Sequence, residues 1–145
     1  MMRNIEKEAF MTIRILLADD HKIVRDGLRS LLEKDCELKV VGEAHNGQIA
    51  VELTHELVPD VVVMDIGMPV MNGIEATERI IENRPGAKVI GLSMHSDRRF
   101  ISSMLDAGAS GYVLKDSAFD ELVGAIHVVR SGRTYLGPGV RNGER

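Results

Sequence analysis

The chain has a single cysteine, Cys36, so no intrachain disulfide can form, and a reducing compartment suits it. It has no run of about 18 apolar residues, the length a membrane-spanning helix needs. It does not open on a secretory signal, because Glu6, Lys7 and Glu8 lie within Met1 to Met11. Its five histidines are scattered, with no two at i, i+3 or i+4 spacing, which argues against a zinc site. Internal repeats and low-complexity segments are also missing. Positive charge is scarce in the body of the chain. Arg130 to Arg145 holds four Arg against one Glu, and residues 1–12 are neutral, so an overall charge of −4 leaves −7 on residues 13–129. Phosphate backbones bind to clustered Lys and Arg, so such a body is a poor general binder of nucleic acid. These absences together predict a soluble, cytoplasmic protein with no membrane partner.

What is present is ordinary globular material. The 145 residues are 44% hydrophobic and 28% charged, one domain's worth of chain. A chain of this length buries roughly 70% of its extended surface and needs no covalent staple. Short runs rich in Val, Ile and Leu recur at Ile13 to Ala18, Lys39 to Ala44, Asp60 to Met64, Lys88 to Leu92 and Gly111 to Leu114. Several are too continuously apolar for a strand with one wet face and read as parallel strands covered on both sides. Helical spacing fills the gaps. It shows in Val24, Leu28, Leu31 and Leu32, in Ile49, Leu53 and Leu57, and in Ile74, Ile80 and Ile81. It continues in Phe100 with Met104 and Ile101 with Leu105, then in Leu122, Ala125, Ile126 and Val129. Strand–helix alternation with right-handed crossovers predicts a (βα)5 flavodoxin-like, doubly wound α/β sandwich. The expected sheet has five parallel strands in the order 2-1-3-4-5. Residues 13–131 form this domain, and 1–12 are an extension or a misassigned start, since Met11 would itself serve. Residues 132–145 have turn composition rather than a sixth strand and read as the start of an interdomain linker.

In such folds ligands bind at the carboxyl ends of the strands. Strand one ends in Asp19-Asp20, strand three in Asp65, strand four in Ser93 and strand five in Lys115. Three carboxylates on one rim repel one another. At about 5 Å and an effective dielectric near 20, each pair costs roughly 3 kcal/mol, and three pairs approach 10 kcal/mol. Lys115 reduces the charge only from −3 to −2, whereas a divalent cation brings it to zero. Oxygen donors point to Mg²⁺, with Mn²⁺ as the alternative. Helix capping would need one Asp rather than two and leaves Asp65 and Lys115 unexplained. A carboxylate beside such a cation and a lysine is a nucleophile for phosphorus. An aspartyl phosphate would take the acid charge to about −4 against +3, and the Ser93 hydroxyl and backbone N–H groups can meet the remainder.

At these residues the chain resembles the receiver domain of bacterial two-component response regulators, over residues 13 to about 131. The matching stretches are Leu-Ala-Asp19-Asp20-His, Val-Met-Asp65-Ile-Gly-Met-Pro69, Asn72-Gly73-Ile-Glu-Ala, Gly-Leu-Ser93 and Gly108-Ala-Ser-Gly-Tyr112-Val-Leu-Lys115-Asp. The resemblance implies that Asp65 accepts a phosphoryl group from a sensor histidine kinase. It implies Mg²⁺ ligation by Asp20, Asp65 and the carbonyl of Gly67, with Asp19 acting through water. Lys115 and Ser93 would contact the phosphoryl group, and Ser93 with Tyr112 would form a switch in which the hydroxyl moves inward and the ring follows. Asp116 after Lys115, where many receivers carry proline, is typical of the NarL/LuxR-like subfamily. That subfamily implies a helix-turn-helix DNA-binding output domain elsewhere in a longer protein, and a possible homodimer on phosphorylation. Gly67, where a side chain often stands beside attacking water, and His95 are candidates for tuning phosphoryl hydrolysis.

Other residues have plainer readings. His21 is expected at the rim as an exposed helix-start residue. Met64, Met68, Met71 and Met94 bracket the site as packing residues. Arg98-Arg99 is a surface patch that a partner could meet, and Cys36 has no assigned role. A Mg²⁺-dependent phosphohydrolase is the competing function, but such enzymes usually place a second acid where Gly67 stands and need a cap domain. A receiver that only docks, without phosphorylation, is opposed by the intact set Asp19, Asp20, Asp65, Ser93 and Lys115. The first and last helices, or the fourth helix with the last strand and fifth helix, are the alternative dimer faces.

Overall fold

A computed structural model describes residues 12–94 and 96–143. Among these, six strands alternate with helices: β1 Ile13–Ala18, α1 Lys22–Leu32, β2 Leu38–Ala44, α2 Gly47–Leu57, β3 Val61–Asp65 and α3 Gly73–Asn83, then β4 Lys88–Ser93, α4 Arg98–Asp106, β5 Gly111–Leu114, α5 Ala118–Arg130, β6 Tyr135–Leu136 and α6 Pro138–Gly143. A 3₁₀ turn, Lys115–Ser117, joins β5 to α5. The sheet is parallel throughout, with strand order β2-β1-β3-β4-β5-β6.

The strands are apolar on both faces because both are covered. Ile13, Ile15 and Leu17 of β1, with Val61 and Val63 of β3, pack against Leu28 and Leu32 of α1 and Leu122, Ile126 and Val129 of α5. The alternate residues Leu16, Ala18, Val62 and Met64 face Ala50, Ala76, Ile80, Ile101 and Met104 of α2, α3 and α4. The chain therefore changes faces between α1 and α2. Strand order reverses at β1 and β3, and the crevice that receives ligands in such sheets opens there.

Two expectations need correction. The sheet has six strands, not five. Tyr135 N–H donates to the Ser110 carbonyl at 3.0 Å and Gly137 N–H to that of Tyr112 at 3.4 Å, which lays β6 along the edge of β5. The segment carries only two strand residues between turn-forming ones, so the ordering comes from the free polar edge of β5 rather than from local propensity. The apolar stripe Ile49, Leu53, Leu57 is only half-buried, and the residues of α2 that are buried are Gly47, Ala50 and Thr54. Small side chains let α2 lie close to its neighbours, and Thr54 satisfies its hydroxyl on the Ala50 carbonyl at 2.7 Å.

Candidate functional site

Four segments converge at the carboxyl ends of the central strands. Asp19 and Asp20 follow β1 directly, Asp65 and Ser93 are the last residues of β3 and β4, and Lys115 follows β5. Parallel pairing puts these ends side by side, since Ala18 pairs with Met64, Asp65 with Leu92 and Ser93 with Leu114. The helix after β3 is drawn in tightly. Gly73 N–H bonds the Ile66 carbonyl at 2.9 Å, and a Cβ at Gly73 would overlap the Asp65 carbonyl, so only glycine fits.

The three carboxylates come together as expected. Ligand atoms of Asp19, Asp20, His21 and Asp65 all lie within 4.8 Å of one another. Asp19 and Asp65 are buried, at 2% and 4% exposure, and Asp20 is half-buried. Lys115 Nζ stands between them, 3.1 Å from Asp19 Oδ2 and 3.4 Å from Asp65 Oδ2. Asp19 is also fixed through its backbone, where Arg25 Nη1 donates to its carbonyl at 2.6 Å while Arg25 Nε reaches Glu43 at 3.1 Å. Asp65 Oδ1 accepts the Gly67 N–H at 3.2 Å. Beyond Gly67 the space is open, with nothing within 4 Å of where a Cβ would stand.

The electrostatics are those of an acidic pocket short of positive charge. Burial, then the neighbouring charge of Asp19, raises the Asp65 carboxyl above the usual range, and Lys115 with the Gly67 N–H does not offset this. Burial alone would lower Lys115, but its bond to Asp19 and the charge of Asp65 prevail and hold the ammonium above its ordinary value. Asp19 Oδ2 and Asp20 Oδ1 are buried yet accept no well-formed hydrogen bond, with Lys115 Nζ 3.1 Å from the first and His21 Nδ1 3.3 Å from the second. Buried oxygens of that kind are costly unless a cation meets them. Every carboxylate donor here is a hard oxygen, so the residues fit a divalent ion such as Mg²⁺.

Ser93 and Tyr112 meet as well. Both are buried, Tyr112 fully, and the Tyr112 hydroxyl is hydrogen-bonded to Ser93. Burial raises the Tyr112 hydroxyl, and the Ser93 bond works against that rise. The ring is thus already inside the domain, next to Met104 and Gly91 in the packing of β4 and α4.

His95 lies outside the described residues, as do residues 1–11. Met64, Met68 and Met71 are buried, and Met94 is exposed. Arg98 and Arg99 are exposed, with Arg99 paired to Asp97 at 3.0 Å. Cys36 is exposed. His21 does more than a helix-start residue would. Its Nδ1 stands 3.3 Å from Asp19 Oδ1 and 3.3 Å from Asp20 Oδ1. Adjacency to the acid pair was the available signal. Arg25, six residues beyond Asp19, carried no sequence signal, because its role depends on Glu43 in β2. Among the described residues no helix is long and apolar enough to cross a membrane.

The family model described as the response regulator receiver domain matches residues 15–127, the stretch that holds all these strand ends. The chain is 48% identical over 126 residues to the transcriptional regulatory protein LnrK of Bacillus subtilis, covering 87% of this chain and 57% of LnrK. A two-component response regulator of the LuxR family from Aurantimonas sp. SI85-9A1 superposes with a TM-score of 0.88 at 41% identity, covering 92% of this chain and 95% of that one. The isolated receiver domain of RcsB from Salmonella enterica serovar Typhimurium, solved with the phosphomimetic BeF₃⁻, gives a TM-score of 0.84 at 28% identity, covering 92% and 99%. The chain spans between 54% and 60% of the length of eight curated relatives it matches. With one family model running from β1 into α5, and LuxR-family relatives alike in both sequence and fold, this protein belongs to the response regulator receiver domain family of two-component signalling.

Proposed function

We propose that Asp65 accepts a phosphoryl group from a sensor histidine kinase and that the chain responds by changing conformation. The observation that carries this is the Asp65 carboxylate, buried at the end of β3 with its oxygens among those of Asp19 and Asp20 and 3.4 Å from Lys115. In the transfer, an Asp65 oxygen bonds to phosphorus, the phosphorus–nitrogen bond of the kinase phosphohistidine breaks, and the imidazole leaves with the bonding pair and takes up a proton. Asp20, Asp65 and the Gly67 carbonyl would hold Mg²⁺ or Mn²⁺, with Asp19 acting through water. Bound there, the ion supplies positive charge against the phosphoryl oxygens. Lys115 pairs with one of those oxygens while keeping its hold on Asp19.

The protein acts as a signalling switch that catalyses only its own phosphorylation and its loss. The open space at Gly67 leaves room for an attacking water, and His95 is the second candidate for setting the rate of hydrolysis. Ser93 turns its hydroxyl from Tyr112 toward the incoming group. Because the ring is already buried, the switch is registered in the Ser93–Tyr112 bond and in the packing around it. A group that binds one arrangement better than the other shifts the population between them.

We further assign residues 13–131 to the receiver and 1–12 to an extension, and read 132–145 as the start of a linker whose first part, β6 and α6, packs back on the edge of the sheet. In a longer protein, a helix-turn-helix output domain would bind DNA while this part does not. Phosphorylation would drive homodimerisation, in the cytoplasm, where Cys36 stays reduced. The test is incubation with acetyl phosphate or phosphoramidate and Mg²⁺ followed by intact mass. One added phosphate on the parent and none on Asp65→Asn is the expected result. An unlabelled parent, or equal labelling of the variant, overturns it.

A further inference from the structure

We propose that the amino-terminal pole of the sheet, at the end opposite the acid pocket, binds a phosphomonoester-type dianion through Arg84, Lys88 and Arg130. Among the described residues five Lys or Arg are half-buried: Arg14, Arg25, Arg84, Lys88 and Lys115. Arg25 pairs with Glu43, and Lys115 with Asp19 and Asp65. The side chains of the other three have no carboxylate partner among the described residues, in a chain with 22 acids to 18 bases, and all three stand at this pole. Arg14 is engaged, since its Nη1 donates to the Val58 carbonyl at 2.9 Å. Arg84 and Lys88 remain, half-buried and without a counter-charge.

The parallel register gathers these groups. Lys88 opens β4 opposite Val61 of β3, Asp60 stands one residue before β3, Arg84 follows α3 and Arg130 ends α5. Arg84, Lys88, Arg130 and Asp60 line a cavity of about 230 Å³, with Val58 and Pro59 among its apolar neighbours. Asp60 is the one acid of that lining. Its Oδ2 accepts the Arg14 N–H at 2.8 Å, and its Oδ1 is 3.9 Å from Arg130 Nε, too far for a hydrogen bond. Three positive charges against one negative leave +2 on the cavity.

That charge selects the ligand class. A phosphomonoester carries about −1.5 to −2 at pH 7, and the forked N–H groups of Arg match its oxygens, whereas a carboxylate would meet only half of the charge. The cavity is smaller than the roughly 300 Å³ of pockets that enclose a drug-sized ligand, so it takes the charged group and leaves the rest of the molecule outside. The plainer reading is that these cations offset helix carboxyl ends, because Arg84 caps α3 and Arg130 closes α5. Lys88 opens a strand and lies at no helix end, and that reading gives no reason for three cations to line one cavity. The proposal is independent of phosphoryl acceptance at Asp65.

Amide chemical-shift titration of the full chain tests it, with inorganic phosphate and methyl phosphate at constant ionic strength and without divalent ions, so that the acid pocket repels the probe. We expect saturable shifts at Gly86, Ala87 and Lys88, and only small linear changes with chloride. Arg84→Gln and Lys88→Gln, which keep the side-chain stems, should each weaken binding about tenfold, the loss of one charged hydrogen bond. Arg98→Gln removes the same charge at the other end of the sheet and should change binding less than about twofold. Phosphate should also raise the Tm of the parent and of Arg98→Gln but not that of Arg84→Gln, and Lys88→Gln serves for this comparison if Arg84→Gln fails to fold. Sedimentation with phosphatidic acid vesicles identifies the source of the group. Co-sedimentation that Lys88→Gln abolishes assigns it to a lipid headgroup, and binding of the soluble probes alone assigns it to a small free ester. Shifts that never saturate, that chloride reproduces, or that survive both substitutions overturn the proposal and leave these cations as helix-end charges.

Discussion

Replacing Asp65 by Asn should stabilise the folded chain at neutral pH in the absence of divalent ions, even though it removes the proposed phosphoryl acceptor. Asp65 faces two carboxylates within 4.8 Å and one ammonium at 3.4 Å. With an effective dielectric near 20, each repulsion costs about 3.5 kcal/mol and the attraction returns about 5 kcal/mol, leaving about 2 kcal/mol of net repulsion. Burial of the charge adds to this cost in the same direction. Because the carboxyl is raised above the usual range, the fold favours its protonated form. Whatever stability that proton preference lends is present below the ordinary carboxylate pKa and lost as pH rises through the raised one. The gain from Asp65→Asn should therefore be full at neutral pH and shrink as the pH falls toward the ordinary carboxylate range. For a chain of this size, about 2 kcal/mol is about 6 °C in Tm. Thermal melts by circular dichroism, across pH and with or without saturating Mg²⁺, measure it. Mg²⁺ should raise the parent more than the variant and narrow the gap. A variant that melts below the parent at neutral pH without metal, or a gap that ignores both pH and Mg²⁺, would refute the reasoning.

Three further outcomes follow from particular contacts. Val140 is fully buried in the core cluster that also holds Tyr112 and Met104, so Val140→Ala should cost about 2 kcal/mol in urea unfolding, and an unchanged midpoint would mean that α6 does not dock. Val70 sits at φ 69° in a γ-turn closed by the Met71 N–H to Pro69 carbonyl bond at 2.7 Å, and its side chain is 82% exposed. Val70→Gly relieves about 1–2 kcal/mol of left-handed strain against a smaller entropic loss, so Tm should rise by a few degrees rather than fall. Tyr112→Phe keeps the buried ring and removes its hydroxyl from Ser93, which should cost about 1 kcal/mol in the same unfolding assay. No loss there would place that hydrogen bond outside the stability of this arrangement.

Much of the site was legible because its parts are local in sequence and are brought together by topology. Asp19-Asp20, Asp65, Ser93 and Lys115 each end or follow an apolar strand, and parallel pairing puts all strand carboxyl ends on one rim. What escaped was side-chain direction and partnership. His21 was read as an exposed residue, and it is exposed, but its ring also spans both acids. The Tyr112 ring lies inside the domain with its hydroxyl bonded to Ser93, a placement that no local pattern shows. The alternation of two periods, the coverage of both sheet faces and the gathering of carboxylates at the strand ends are properties of the sequence itself. Burial pattern and crossover handedness act along the chain and leave few other arrangements. Only the tertiary structure decided β6, the docking of Val140, the small-residue face of α2 and the left-handed Val70. Each depends on a partner remote in the chain or on a backbone hydrogen bond. The free edge of β5 offers the carbonyls of Ser110 and Tyr112, and no pattern within residues 132–143 could show that the chain turns back to take them.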